Sequence, residues 1–94
     1  MTMTYERTRS LIEAEEFLRE IMKDKDIPEK TRTRARSILR HYPTEREILF
    51  AGENEFLMRY KEGFPNLSSP FLSPGKTFDE EEAFTEKMAK LKGY

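Results

Sequence analysis

The sequence predicts an all-α fold: an antiparallel helical hairpin, a third helix, an ordered proline-containing segment and a C-terminal helix. Three observations carry that expectation. Apolar residues recur at spacings of three and four over most of the chain. Two Thr-x-x-Glu boxes stand directly before such runs, at Thr44–Glu47 and Thr77–Glu80. Prolines and glycines fall between the runs, where a helix must stop. The chain reads as one small helical domain, with a core over 4–62, a proline-containing segment over 63–76 and a terminal helix over 77–93.

The first helix is expected over 4–25. Leu11, Ala14, Leu18, Ile21 and Met22 make its apolar stripe, with Phe17 on the edge. Glu13, Glu16, Glu20 and Asp24 fall on the opposite, solvated side. KDKDIP then breaks the period. Pro28 has no N–H to lose in a first helical turn, and Asp26 can cap the amides that follow. A second helix follows over 28–42, and so short a connection makes the pair an antiparallel hairpin. At roughly 100° per residue, Ile27, Thr31, Ala35, Ile38, Leu39 and Tyr42 gather on its core side.

Pro43 ends that helix, because the residue before a proline is pushed out of the helical region. The third helix, 45 to about 62, carries Ile48, Ala51, Phe56, Leu57 and Tyr60. Gly52 interrupts it at a cost of about 1 kcal/mol against alanine, so a bend or break is expected there. Residues 64–76 hold Phe64, Leu67, Phe71 and Leu72 among three prolines. A flexible linker does not carry four large apolar groups, so this segment should lie against the helices with those side chains buried. The last helix, 78–92, has its acids first and its lysines last, as the helix dipole favours. Phe84, Met88 and Leu91 form a narrow stripe on it, suited to a peripheral or docking helix.

Composition narrows the function. The chain has 94 residues, 37% of them charged and 36% hydrophobic, which allows a core but a thin one. Its net charge of −1 argues against a whole-domain polyanion binder. Residues 1–50 hold eleven basic and ten acidic side chains, and residues 51–94 six and eight, so any cationic surface is local. There is no cysteine, which removes disulfides, thiolate zinc sites and Cys nucleophiles together. No apolar run approaches the roughly 18 residues of a membrane span, and MTMTYERTRS has no apolar signal core. A soluble, cytoplasmic protein without membrane association is the expectation.

Catalytic chemistry finds little to stand on. One histidine and no cysteine make a metal site improbable, and Asp79-Glu80-Glu81-Glu82 is explained by a helix start. His41 is the one conventional base, and it stands at a helix end beside arginines, where it can interact with terminal carbonyls. Four scattered glycines make no phosphate loop. The sequence therefore predicts no enzyme, no cofactor and no catalytic residue.

TRTRARSILRHYP, residues 31–43, concentrates four arginines and the histidine. Arg32, Arg36 and Arg40 form an i, i+4, i+8 row on one flank, while Lys30, Arg34 and His41 lie on the other. Three accounts compete: a solvated face offset by neighbouring acids, a protein-binding surface, and phosphate contacts. The stretch lacks the glycine turn and paired recognition helix of a helix-turn-helix, and the aromatic interleaving of a single-strand binder. The solvated face is the first of these by weight; if the row binds anything, Glu29 and Glu45 flanking it make a protein partner the leading expectation. Arg32, Arg36, Arg40, Phe84, Met88 and Leu91 are its candidate contacts. Nucleic acid held through Arg32, Arg34, Arg36 and Arg40 is the alternative. The oligomeric expectation is a monomer or weak homodimer.

Tyr5-Glu6-Arg7-Thr8-Arg9, Glu16-Phe17-Leu18, Ile27-Pro28, Arg34-Ala35-Arg36 and above all Leu39-Arg40-His41-Tyr42-Pro43 resemble a family of short uncharacterised bacterial proteins. Its members tend to begin with a Tyr/Ser-Glu-Arg-Thr-Arg box and to carry Arg-His-Tyr-Pro at the end of the second helix. Ser69-Pro70-Phe71 resembles the proline-containing tail of some of them. The likeness covers roughly the first fifty residues and leaves out the last helix. It implies a small proteobacterial protein and adds no catalytic residue. Cysteine-free helical proteins of this size are also common on phages and mobile elements. Many of those bind and block a host complex, so an anti-CRISPR-like inhibitor is the specific form the binding expectation takes.

Overall fold

A computed structural model describes residues 3–61 and 71–91, with the backbone alone at 59–61 and 91. The four helices are α1 (Thr4–Lys23), α2 (Glu29–Arg40), α3 (Glu45–Lys61) and α4 (Phe78–Leu91), with no strand among the described residues. The all-α expectation holds, and each helix begins within one residue of its expected start. Phe64 and Leu67 lie outside the described residues, as does residue 92, the expected end of the last helix.

Side chains next to each helix start explain these boundaries. The Glu6 carboxylate accepts the Met3 N–H at 2.8 Å, where α1 opens. Before α3 the capping box is complete: Thr44 Oγ1 accepts the Glu47 N–H at 3.1 Å and Glu47 Oε1 accepts the Thr44 N–H at 2.9 Å. Before α4 it is displaced by one residue. Thr77 Oγ1 accepts the Glu80 N–H at 3.2 Å, but the Glu80 carboxylate reaches back to the Lys76 N–H at 3.0 Å.

The α1–α2 turn corrects one expectation. Asp26 does not cap α2; its own N–H donates to the Asp24 carboxylate at 2.9 Å, closing the turn. Pro28 is the residue at the cap position, without a side-chain bond, and its carbonyl accepts the amides of Thr31 and Arg32. Arg32 fastens the helix to the turn by donating Nε–H to the Ile27 carbonyl at 3.0 Å.

α1 is the spine of the molecule. Tyr42, just past α2, donates its hydroxyl to the Leu11 carbonyl, so α2 runs antiparallel along the C-terminal part of α1. α3 also runs antiparallel to α1, but along its N-terminal part, because Gly52 meets the chain at the level of Thr8 and Glu55 at the level of Arg7. The major helix interfaces are those of α1 with α2 and of α1 with α3. Two partners placed end to end leave the molecule long: 54 × 25 × 24 Å, with a radius of gyration of 16.7 Å. A compact chain of this length has about 12 Å.

The core is as thin as its composition requires. Among the described residues, Ile12, Ala35, Ile48 and Phe56 are its buried apolar side chains. The two most completely enclosed side chains among the described residues are polar, Thr8 and Ser73, each fully removed from solvent. Ser73 lies in the groove between α1 and α3. Its N–H donates to Thr8 Oγ1 at 2.8 Å, and its carbonyl rests where a side chain on residue 52 would stand, 2.0 Å from an ideal Cβ. Gly52 therefore does not break α3. It admits the backbone of 71–77, which crosses from α3 to α4 over α1.

Three apolar residues are less buried than the pattern implied. Ile38 is 44% exposed, whereas Ala35, three residues before it, is the buried residue of α2. Phe17, on the edge of the α1 stripe, is 61% exposed, as is Phe71. Residues 71–77 are held by polar bonds, to the Thr8 hydroxyl, the Glu55 carboxylate and the Arg7 guanidinium, and the Phe71 ring only covers that guanidinium, 4.5 Å from its centroid.

Candidate docking surface

α2 presents its outward side because Ala35 is buried on the α1 side and α2 has no major interface with any other described helix. From Lys30 to Tyr42 the sequence contains five Lys and Arg residues and no acid. Arg34, Arg36 and Arg40 are exposed, and Arg32 is half-buried by its bond to the Ile27 carbonyl. Three ion pairs occur among the described residues: Arg9–Glu13 at 3.9 Å, Arg19–Glu15 at 3.0 Å and Lys76–Glu45 at 2.6 Å. None involves α2. Glu45, one of the two acids flanking the row in sequence, is committed to Lys76, whose pKa it raises through that hydrogen bond and through its charge. Among the described residues, the arginine face is thus cationic without a paired counter-charge.

The row is not three equal members. Arg32 spends its Nε on the fold, while Arg36 and Arg40 on its flank, and Arg34 on the other, remain exposed. Phe84 and Met88 on α4 are half-buried, and the Leu91 side chain lies outside the described residues. α2 and α4 share no major interface, so the structure does not assemble these residues and the arginines into one surface.

Residues of two stretches quoted for the family resemblance, a first box at 5–9 and a second at 39–43, hold the fold together. Tyr5 packs its ring edge-on against Phe78, centroids 6.2 Å apart. Arg7 donates to the Phe71 carbonyl at 2.9 Å, and Thr8 takes the Ser73 amide. From across the groove, Glu55 accepts the amides of Phe71 and Leu72 at 2.6 and 3.3 Å. Tyr42 of the second box locks α2 to α1. Burial raises the pKa of its phenol, as does, to a lesser degree, the charge of Glu15. Thr8, Gly52 and Ser73 were not singled out by apolar periodicity, since none is a large apolar residue. The available signal was the Thr8/Ile12 pair one turn apart, a second row beside the Leu11 stripe.

A shallow cleft of about 270 Å³ lies between α1 and the start of α4, floored by Ile12. Its walls are Arg9, Glu13, Glu16, Lys76 and Glu80, charges of both signs with no nucleophile–base pair. Among the described residues no group of three or more His, Asp or Glu could hold a metal ion. No helix among them is long and apolar enough to cross a membrane. No family model, no curated protein and no solved structure matches the chain. The resemblance to the short bacterial family therefore rests on the quoted residues alone.

Proposed function

We propose that the protein works by stoichiometric binding, without turnover, and that the outward side of α2 docks an acidic surface of a protein partner. The observation that carries this is the row of exposed arginines with no carboxylate among the described residues paired to any of them. Unpaired guanidinium groups keep their planar donor forks for a partner's carboxylates, where one or two of them can act as anchors. The exposed Ile38 beside Arg34 supports a protein surface, since phosphates offer nothing apolar to it. The setting we assign is bacterial cytoplasm, with inhibition of a host defence complex as the specific role. Size, helical fold and cysteine-free composition support that setting.

Affinity capture from a nuclease-treated bacterial lysate tests the reading, comparing the native chain with an Arg34→Ala/Arg36→Ala/Arg40→Ala variant. The expected outcome is a protein retained by the native chain and lost by the variant. Unchanged capture by the variant would overturn the role of α2. A second reading, phosphate binding, is favoured by the same unpaired arginines. It predicts capture that nuclease abolishes, with an affinity whose logarithmic salt slope falls by about 1 per arginine removed.

A further inference from the structure

α3 is apolar on two sides. Ile48, Gly52 and Phe56 face the interior, while Phe50, 56% exposed, and Met58, 50% exposed, stand away from that row. Asn54, also exposed, lies between these two, one turn from each. Beside Phe50, three residues on, is the half-buried Glu53, whose carboxylate has no hydrogen bond or ion pair among the described residues. α2 carries a patch of the same build with the opposite charge. Ile38, 44% exposed, has the exposed and unpaired Arg34 one turn before it.

The spacings match in one register. When two helices pack antiparallel, a residue four before the central contact on one lies on the same side as a residue three after it on the other. With Ile38 opposite Phe50, Arg34 is four before and Glu53 is three after, so the two unpaired charges meet. Asn54 stands next to them as a further acceptor for the guanidinium fork. At the other end His41, three after Ile38, falls on the side of Arg46, four before Phe50.

Within one chain these rows cannot meet in that way, because α2 and α3 lie end to end along α1 and both run antiparallel to it. We propose that α2 of one copy docks antiparallel on α3 of a second copy, seating Ile38 on Phe50 beside an Arg34–Glu53 pair. A twofold axis lets each copy contribute both helices. The net charge of −1 leaves little long-range repulsion between copies. This assignment rests on the reading of α2 as a docking surface and names a second copy as its occupant.

Analytical ultracentrifugation of the full chain tests it with a charge swap. Arg34→Glu and Glu53→Arg should each weaken self-association by about tenfold or more, and the double variant should restore it. Circular dichroism checks that all three keep the native helix content. In a chain without cysteine, Ile38→Cys combined with Phe50→Cys should oxidise to a covalent dimer. A disulfide-bonded monomer would instead show α3 folding back on its own α2, and would overturn the proposal. So would a native chain that stays monomeric to about 1 mM, the weakest affinity worth the name, or a double variant that fails to recover. A native chain that stays monomeric while a different protein is captured through the arginines would leave the function reading intact while this one fails.

Discussion

Two single atoms decide much of this fold. The Tyr42 hydroxyl closes the α1–α2 hairpin on the Leu11 carbonyl, so Tyr42→Phe should cost about 1 kcal/mol in chemical denaturation. The phenol donates only while protonated. Its folded pKa is raised above the ordinary value of 10.0, so its contribution is full below pH 10 and is lost as pH rises through the folded value. The stability gap between native and Tyr42→Phe chains should therefore narrow in strong alkali. At Gly52 the deciding atom is a hydrogen where other residues carry Cβ. Helix propensity alone would make Gly52→Ala stabilising by about 1 kcal/mol. The added methyl would stand 2.0 Å from the Ser73 carbonyl, so the variant should instead be destabilised, by about 1–3 kcal/mol. A rise in melting temperature for Gly52→Ala would show that Ser73 does not occupy the groove.

Among the elements, the helix starts were the most legible in the sequence, because a cap is local chemistry. Thr44 and Glu47 exchange both bonds that their spacing implied, and Thr44→Ala should cost about 1 kcal/mol at neutral pH. The Glu47 carboxylate is held below its ordinary pKa of 4.5, first by the Thr44 amide and then by the Thr44 hydroxyl. Its contribution is full above pH 4.5 and is lost as pH falls through the lower folded value. The difference between native and Glu47→Gln chains should shrink in a urea series taken toward about pH 3. On α2, Arg36→Ala and Arg40→Ala should each change stability by no more than about 0.5 kcal/mol, while Arg32→Ala should cost more, since it frees the Ile27 carbonyl. Periodicity placed Arg32 in a row with the other two and could not distinguish them. Its partner is a backbone carbonyl in a turn, which no pattern of side chains encodes.

At the scale of the whole molecule, the sequence announced the helices but not their arrangement along α1. A short α2–α3 connection reads equally well as a fold-back or as a continuation, and Tyr42 and Gly52 choose the second through contacts distant in sequence. The same limit hid residues 71–77. Phe71 and Leu72 advertised burial, whereas the enclosed groups proved to be the hydroxyls of Thr8 and Ser73, small polar side chains on which apolar counting is silent. Scattering in solution should give a radius of gyration near 16.7 Å if the end-to-end arrangement holds, against about 12 Å for a compact bundle. The Thr8–Ser73 bond also sets an order of assembly, because it joins positions 65 residues apart. Local pairing of α1 with α2 can form as soon as both are made, but the α1–α3 groove has no filling until the chain beyond residue 70 arrives. Contacts of such long range form late and open early. In hydrogen exchange, the Ser73 amide should lose protection well before the α1–α2 hairpin does, although Ser73 is fully removed from solvent.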